Sequence, residues 1–438
     1  MAPDVPRATL LESLRFSAVY TLPQLARGAF IARPAMVRLL ARLDTHARAQ
    51  RLCLRLRTRY GGRSVLVRGP TGTVLLLLSQ GDIKRVLTGA DSVFSPLTKE
   101  KRTGLRLTQP DSLLLSRGRL REDRRRFNEA VLQTGRVPHD LAPRLRAVLA
   151  EELAGVCGDA PAEVDWARLY AAYDRAALRL VLGDAAREDF EILAALRALR
   201  REANWLGLRP WRGRHIRRHR RTYTAGIGRH VAAAAEGSLA GLMAAAPQTR
   251  GTCPAGQVPP WLLALDGIQA AVLGPALALL AGHPRHAAGV RAEAYDGGQE
   301  LTAACVCDTL RLYPMVPTTL RTVTAPVEWH GALLPAGTEI MIPFAVHHRN
   351  PQLGYADAFT PEAWLDGRAQ ADWWIAPFLH GPGRCPGAEL GIQFAAAALH
   401  ELLRQYEFHP AGPALGPDRP LPKTLHPAAL RLRARPAT

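Results

Sequence analysis

The chain has 438 residues, of which 47% are hydrophobic and 22% are charged, which is the composition of a globular protein with a sizeable core. No window of about 18 or more apolar residues is found, so the sequence predicts no membrane span. The first residues, MAPDVPRATLLESLRF, have no signal-peptide pattern, and we therefore expect a soluble, cytoplasmic protein.

The formal net charge of +19 suggests a nucleic acid, an acidic membrane surface or an acidic protein as a partner. The densest basic run is LRPWRGRHIRRHRRTY, residues 208–223. Because no nucleic-acid-binding motif accompanies it, we interpret this run as a solvated basic helix and predict no nucleic-acid binding. An acidic protein partner stays open.

In chain order, the first clear pattern is a hairpin. Residues 64–79, SVLVRGPTGTVLLLLS, place two apolar β-rich runs around a Gly-Pro-Thr-Gly turn. Residues 117–290 then show helical periodicity, which a loop interrupts at 245–260. A long apolar helix at about 259–283 follows that loop.

Short β-like runs, VEWHG and LLPAGTEIMIPF, come between residues 316 and 346. No internal repeat or low-complexity linker divides the chain. The pattern therefore predicts a mainly helical protein with small β-sheets, organised as a single large domain over residues 1–438.

The six cysteines form neither a CxxC pair nor a zinc motif. We interpret five of them as small buried residues in a reducing compartment. These five are Cys53, Cys157, Cys253, Cys305 and Cys307. Only Cys385 lies in a glycine-rich stretch, PFLHGPGRCPGAELG, residues 377–391, directly before an alanine-rich helical pattern.

The setting of Cys385 is suited to holding a metal. A thiolate is a strong, soft ligand for iron, and its negative charge needs nearby hydrogen-bond donors. A glycine loop can direct backbone N–H groups at a sulfur, and a helix N-terminus adds a favourable dipole. Phe378 could shield the sulfur, while Gly381 and Gly387 allow a flat cofactor to approach closely.

This stretch resembles the haem-binding loop of the cytochrome P450 superfamily. In that loop a phenylalanine, a glycine, the ligand cysteine and a following glycine keep the spacing of Phe378, Gly381, Cys385 and Gly387. The resemblance implies the cytochrome P450 fold, haem b as the cofactor and Cys385 as the iron ligand. It extends over roughly residues 60–410.

Four arginines are implied as contacts to the haem propionates. The stretch RLREDRRRFNEAVL resembles the family helix that makes such contacts, and it implies this role for Arg121 and Arg125. The strand after CDTLRLYPM implies it for Arg321. Arg384 is a further candidate, although it is shifted by one position from the family's basic residue. The alternative for each is an arginine on the surface.

Several positions depart from the family pattern. Leu379 replaces a small or polar residue, and Gly383 replaces the basic residue two positions before the cysteine. In the family's Glu-x-x-Arg motif, Asp308 stands in place of the glutamate, on the same helix face as Arg311. In AFTPEAW, Ala363 takes the place of the customary arginine.

The family's long central helix normally carries an acid followed by threonine or serine, a pair that relays protons during oxygen activation. Counted back from His283, Gly267 and Ile268 occupy these two positions, and Asp266 lies one residue earlier. Neither threonine nor serine occurs from residue 253 to 301. We therefore expect Asp266 either to serve as the relay, with water or a substrate hydroxyl, or to be a structural residue with a buried partner.

The resemblance implies a haem-thiolate monooxygenase that oxidises a small organic molecule, with electrons from a separate ferredoxin and ferredoxin reductase. A basic face near the cysteine loop would favour the docking of an acidic ferredoxin. The arginine- and alanine-rich composition suggests a bacterial protein, in secondary metabolism. The missing alcohol leaves two alternatives: a peroxide-driven or radical-coupling enzyme, and a catalytically degenerate accessory subunit. Retention of Cys385 argues against the accessory subunit.

Overall fold

Helices make up most of the computed structural model, which describes residues 5–69, 72–413, 415–425 and 429–437. The first half of the chain contributes α1 Leu10–Phe16, α2 Leu22–Arg27, α3 Pro34–Arg42, α4 Thr45–Arg59, α5 Gln80–Thr88, α6 Lys99–Thr108, α7 Gly118–Val131, α8 Ala142–Leu153, α9 Trp166–Leu182, α10 Phe190–Ala203 and α11 Gly213–Ala233. The second half contributes α12 Leu239–Leu242, α13 Pro254–Ile268, α14 Gly274–Gly282, α15 Pro284–Asp296, α16 Glu300–Leu312, α17 Phe344–His347, α18 Glu362–Leu365, α19 Arg368–Ala371 and α20 Ala388–Gln405.

The strands are short and form small sheets beside the helices. Their bounds are β1 Val65–Gly69, β2 Gly72–Leu76, β3 Phe94–Ser95, β4 Ala162–Glu163, β5 Thr319–Val323, β6 Val327–Trp329, β7 Ala332–Leu334, β8 Glu339–Ile342, β9 Tyr406–Pro410 and β10 Leu432–Pro436. The described strands give a five-stranded sheet of order β1-β2-β8-β5-β3, a three-stranded sheet of order β4-β10-β9, and the pair β6-β7. The prediction of a mainly helical fold with small sheets is confirmed.

The predicted hairpin is present. β1 and β2 pair antiparallel, with Val65 opposite Leu76. Pro70 and Thr71, in its predicted turn, lie outside the described residues. β2 then pairs in parallel with β8, which connects the hairpin to the strands from the C-terminal half of the chain.

β5 places one of the predicted site residues in the interior. The strand pairs with β8 on one side and with β3 on the other. Because successive side chains of a strand point to opposite faces, Thr319, Arg321 and Val323 all turn to the same face, which is the buried one. The register of the sheet thus directs a guanidinium group into the protein.

The central helix consists of α13 and α14, joined by a π-helical turn at Gln269–Leu273. This wider turn lies directly before Pro275, which cannot donate a backbone hydrogen bond. The side-chain amide of Gln269 donates to the carbonyl of Tyr170 in α9 at 2.7 Å, which ties the π turn to its neighbour. The helix ends at Gly282, as the sequence predicts.

The start of the central helix differs from the prediction. We predicted a loop over residues 245–260, and its C-terminal boundary is wrong. The helix α13 already begins at Pro254 and contains Pro259 and Pro260. Gln257 accounts for this: its buried side-chain amide donates to backbone carbonyls of the preceding turn and of a neighbouring loop. Tertiary hydrogen bonds therefore outweigh a composition that is typical of a loop.

The central helix is also long and apolar enough to cross a membrane, so the prediction that no segment meets this criterion is wrong. Of the most apolar window in Pro254–Gly282, 72% is buried inside the protein. Such burial is what a core helix of a soluble protein requires, and length and composition alone do not separate the two cases.

The central helix, α9 and α20 share the largest apolar core. Within it, the ring of Tyr173 in α9 meets the ring of Phe394 in α20 edge-on, with the ring centroids 4.8 Å apart. This packing fixes α20, and therefore the loop that leads into it.

The cysteines other than Cys385 follow the prediction in part. Cys53, Cys305 and Cys307 are buried, whereas Cys157 is half-buried. The prediction is wrong for Cys253, which is exposed because it lies at the entrance of α13 with a positive φ of 51°.

Candidate functional site

Cys385 lies between a short 3-10 turn and the first residue of α20. Its backbone N–H donates to the carbonyl of Phe378 at 2.9 Å, and the N–H of Gly387 donates to the Cys385 sulfur. Gly381 has a φ of +66°, and a Cβ there would lie 2.4 Å from the carbonyl oxygen of Leu87, so this position requires glycine. The loop therefore folds tightly and directs a backbone donor at the sulfur.

The electrostatic setting of the thiol suits a metal ligand better than a free nucleophile. Burial raises the pKa of the Cys385 thiol, and the opposing effects of the Gly387 N–H, Arg384 and Arg125 do not cancel that rise. A nucleophilic cysteine instead needs a lowered pKa. A metal cation deprotonates the thiol that coordinates it, so ligation does not depend on an already lowered pKa.

Two predicted arginines lie near the sulfur but bind acidic side chains of the protein. Arg384 forms an ion pair with Glu389, and Arg125 forms one with Glu129 at 2.5 Å. Both are close enough to act on the thiol of Cys385. These ion pairs do not test whether either arginine contacts a haem propionate, so that contact stays a prediction.

A second group of cations gathers around Arg321. Arg321 is 3% exposed, and the hydrogen bond it donates within the described residues is to the adjacent carbonyl of Leu320 at 3.0 Å. Arg121 and Lys101 lie near it, and Asp91 is the carboxylate they share, paired directly with Arg121. Glu100 is a second carboxylate that acts on Lys101, so three cations face two acids.

This cluster fits an anionic group. Burial and the neighbouring positive charges of Arg321 and Arg121 lower the pKa of Lys101 to about 7, and burial and the charge of Arg121 lower that of Arg321 to about 10. The cluster adjoins the cysteine loop, because a Cβ on Gly383 would lie 3.0 Å from Arg321 Nη2. The two propionates of a haem held by a loop cysteine would supply the charge that these cations need.

Asp308 and Arg311 form a completely buried ion pair in α16. Arg311 Nε lies 2.5 Å from one carboxylate oxygen of Asp308 and Nη2 lies 3.0 Å from the other, so the predicted pairing is confirmed. Two more donors complete the carboxylate: the N–H of Thr360 at 2.7 Å and the indole N–H of Trp364 at 3.1 Å. Every oxygen of this buried acid is therefore satisfied, as burial demands.

The same ion pair is linked to the cysteine loop. Arg311 also donates to the carbonyls of Ala358 at 2.7 Å and of His348 at 3.3 Å. The ring Nε2 of His348 accepts a hydrogen bond from the backbone N–H of Ala376 at 3.0 Å. Ala376 lies two residues before Phe378 of the cysteine loop. Burial lowers the pKa of His348 to about 3, so its ring stays neutral and can accept this hydrogen bond.

Trp364 explains how the protein tolerates Ala363 in place of an arginine. Ala363 is completely buried in an apolar cluster with Trp374 and Ile375. Trp364, one residue later, donates its indole N–H to the buried Asp308. The stretch AFTPEAW therefore supplies a donor to this carboxylate without an arginine.

Gly267 and Ile268, at the family's acid and alcohol positions, carry no proton donor. A Cβ on Gly267 would lie 2.4 Å from Met315 Sδ, so the sulfur of Met315 fills the space beside this residue. Ile268 Cδ1 lies 2.9 Å from where a Cβ on Gly391 of α20 would be. Both residues thus take part in close apolar packing.

Asp266 faces α10, where arginines bind both of its oxygens. Arg197 Nε donates to one oxygen at 2.6 Å, and Arg200 donates to the other. Arg197 also forms a bidentate pair with Asp174 of α9, at 2.7 and 2.8 Å. These four side chains join the central helix to α9 and α10. They do not test the relay role of Asp266, which stays a prediction.

Sequence reasoning missed two residues of this region. Lys101 lies in α6, in a stretch where a single sequence does not show which side chains point inward. Trp364 gave a signal, because an indole donor next to the position of a missing arginine is a candidate replacement. Its contact with Asp308 depends on how the loop before α18 folds.

Comparisons with known proteins agree with this geometry. The family model of cytochrome P450 matches residues 270–428. Putative cytochrome P450 137 of Mycobacterium tuberculosis is 36% identical over 140 residues, which cover 32% of this chain and 29% of the relative. Putative cytochrome P450 135A1 of the same species is 32% identical over 180 residues, or 39% of each chain.

A solved structure, retinoic acid-bound cyanobacterial CYP120A1, has a TM-score of 0.67 and covers 87% of this chain and 94% of its own at 17% identity, which shows the fold. The curated relatives match over less than two fifths of their own length. The part of the chain that contains the cysteine loop, residues 270–428, thus matches the cytochrome P450 family model, and the fold over most of the chain is that of a cytochrome P450 structure.

The compensation by Trp364 can be measured through stability. Trp364→Phe removes the indole donor and leaves an oxygen of the buried Asp308 with one partner fewer, so we expect unfolding in urea to become easier by about 1–3 kcal/mol. Trp373→Phe is the matched control, because its indole N–H makes no hydrogen bond among the described residues. Equal losses in both variants would contradict the assigned contact.

The cation cluster predicts a pH dependence. The pKa of Lys101 is about 7 in the folded protein and ordinarily 10.5, so between these values the unfolded chain binds more protons. Stability against urea should therefore rise with pH over this window, and Lys101→Met should reduce the rise. Lys99→Met, an exposed lysine of the same helix, should keep it. An unchanged slope in Lys101→Met would rule out the burial of that charge.

Proposed function

We propose that the protein is a haem-thiolate monooxygenase that oxidises a small organic molecule. The observation that carries this proposal is the Cys385 sulfur, held by the Gly387 N–H in a loop of family spacing and adjoining a cluster of unbalanced cations. The haem iron, when bound, supplies the oxygen activation that protein side chains lack.

Each residue of the site then has a role toward the cofactor. Cys385 would supply a thiolate ligand to the iron, and the Gly387 N–H would stabilise its negative charge. Arg321, Arg121 and Lys101 would hold the propionates. Haem b, bound without covalent attachment, is the form we propose, because the sequence has no CxxCH motif.

The proton supply differs from that of a family member with an intact acid-alcohol pair. Ile268 cannot donate a proton, and both oxygens of Asp266 are bound by Arg197 and Arg200. We infer that Asp266 holds the central helix in place, and that protons come from water or from a hydroxyl of the substrate. The same observation favours a second candidate, an enzyme driven by peroxide, which already carries its protons.

The charge around the cysteine loop bears on electron delivery. We propose that ferredoxin and its reductase supply electrons in the cytoplasm, with an acidic ferredoxin docking on the side of the cysteine loop. Arg125 and Arg384 lie near the sulfur there, and the exposed Arg126 lies next to Arg125. A place in secondary metabolism is a proposal from composition alone. Composition supports no substrate class narrower than a small organic molecule.

Thiolate ligation gives a direct spectroscopic test. The reduced, haem-loaded protein with carbon monoxide should show the red-shifted Soret band of a thiolate complex, and Cys385→Ala should abolish it because the axial sulfur is removed. Cys253→Ala, which removes an exposed thiol outside the site, should keep it. An unshifted band in the unmodified protein would reject the proposal, and loss of the shift in both variants would show that unfolding was responsible.

The role of Asp266 can be separated from relay chemistry. Asp266→Asn and the control Asp174→Asn both weaken the pairs with Arg197, so both should lower stability while turnover of a surrogate substrate per bound haem stays within about twofold. A relay predicts instead a loss of roughly a hundred- to ten-thousandfold with dioxygen in Asp266→Asn alone, rescued by peroxide. That second pattern would overturn the structural assignment.

A further inference from the structure

Arg27, the last residue of α2, carries a charge that no carboxylate of the described chain balances. Its guanidinium is half-buried and donates no hydrogen bond among the described residues. Within this part of the chain, the ionisable side chain that acts on it is the phenol of Tyr20. Burial lowers the pKa of Arg27, because removal from water disfavours the charged form. A partly buried cation without an acceptor costs stability, so it calls for a partner.

The end of α2 does not supply that partner. A cation in the last turn of a helix commonly binds the terminal backbone carbonyls. Here Arg33 binds them instead, because it donates to the carbonyls of Leu25 and Ala26 at 3.0 Å each. The charge of Arg27 is therefore not explained by capping of its own helix.

The charged groups nearby are neutralised or positive. Burial lowers the pKa of His46 to about 4, and the charge of Arg27 contributes to this shift, so the ring is neutral near pH 7. Arg349 and Lys423, which act on the same histidine, both pair with the carboxylate of Asp357. The surroundings of Arg27 are thus suited to an anion that comes from outside the chain.

Tyr20 connects Arg27 with the central helix. The Tyr20 side chain is buried, and its hydroxyl lies 2.6 Å from Thr318 Oγ1. Three residues before Thr318, Met315 places its sulfur beside Gly267 of the central helix. Three residues of extended chain span at most roughly 10 Å. A short segment therefore runs from the neighbourhood of Arg27 to the helix that carries Gly267.

This short segment offers an apolar surface between its two ends. Val316 is 51% exposed, and Met315 is half-buried. Binding sites for small molecules combine such apolar walls with a few polar groups that fix the orientation of the ligand. A cation at one end and hydrocarbon contacts along the segment are complementary to an amphipathic molecule with one anionic group.

We propose that Arg27 binds the carboxylate of an elongated apolar substrate whose hydrocarbon body lies along Val316 and Met315. This inference rests on the monooxygenase function proposed above and narrows its substrate to a monocarboxylic acid. A guanidinium can donate two parallel hydrogen bonds to a carboxylate, which a neutral alcohol cannot accept in the same way. One guanidinium balances one negative charge, which favours a carboxylate over a doubly charged phosphate. The other end of the substrate reaches the central helix beside Gly267.

Ligand binding without turnover tests this site. In isothermal titration calorimetry of the full-length, haem-loaded protein, dodecanoate should bind more tightly than dodecanol, which has the same chain and no charge. Arg27→Gln should raise the Kd for dodecanoate roughly ten- to hundredfold, because it removes hydrogen bonds to a charged group, and should change the Kd for dodecanol by less than about twofold. Arg38→Gln removes an exposed arginine of α3 and should bind both ligands as the unmodified protein does.

A second variant guards against a folding defect. Thermal melting is recorded for each variant, and where Arg27→Gln does not fold, Arg27→Lys serves in its place. Arg27→Lys keeps the charge but loses the paired hydrogen bonds, so it should lose part of the affinity for dodecanoate alone.

Several results would overturn the carboxylate site. These are absence of dodecanoate binding, equal affinities for dodecanoate and dodecanol, and a Kd for dodecanoate that Arg27→Gln leaves unchanged or that Arg38→Gln raises equally. The carbon monoxide spectrum of the same samples tests the haem-thiolate proposal separately, because that band depends on Cys385. A red-shifted band with unselective binding rejects the carboxylate site alone. Selective binding with an unshifted band supports the site and rejects the haem-thiolate proposal.

Discussion

The carboxylate of Asp308 is the interaction on which the site depends. It is completely buried and accepts from Arg311, Thr360 and Trp364, so it joins α16 to the loop before α18. A buried charge persists only when its partners are all present, and removing one leaves the rest uncompensated. Through the carbonyl of His348, the same network reaches the segment that begins the cysteine loop.

The sequence was sufficient for features that depend on local spacing. The hairpin β1-β2, the end of the central helix and the face shared by Asp308 and Arg311 follow from turn chemistry and helix periodicity. The cysteine loop followed from its glycines and its motif. In each case the partners are near in sequence, so a single chain carries the whole signal.

Features that depend on distant partners could not be predicted in this way. Asp266 pairs with arginines about seventy residues earlier in the chain, and Lys101 meets Arg321 only when α6 packs near β5. The early start of α13 depends on the long-range hydrogen bonds of Gln257. These outcomes are decided by tertiary packing, which overrides local composition.

The central claim is that Cys385 is the axial ligand of a haem iron, and the immediate surroundings of the iron test it most directly. X-ray absorption at the iron K-edge of the purified, haem-loaded protein should show one sulfur among the ligands beside the four porphyrin nitrogens. The sulfur contribution should vanish in Cys385→Ala and persist in Cys253→Ala. A shell of nitrogen or oxygen alone in the unmodified protein would contradict the account.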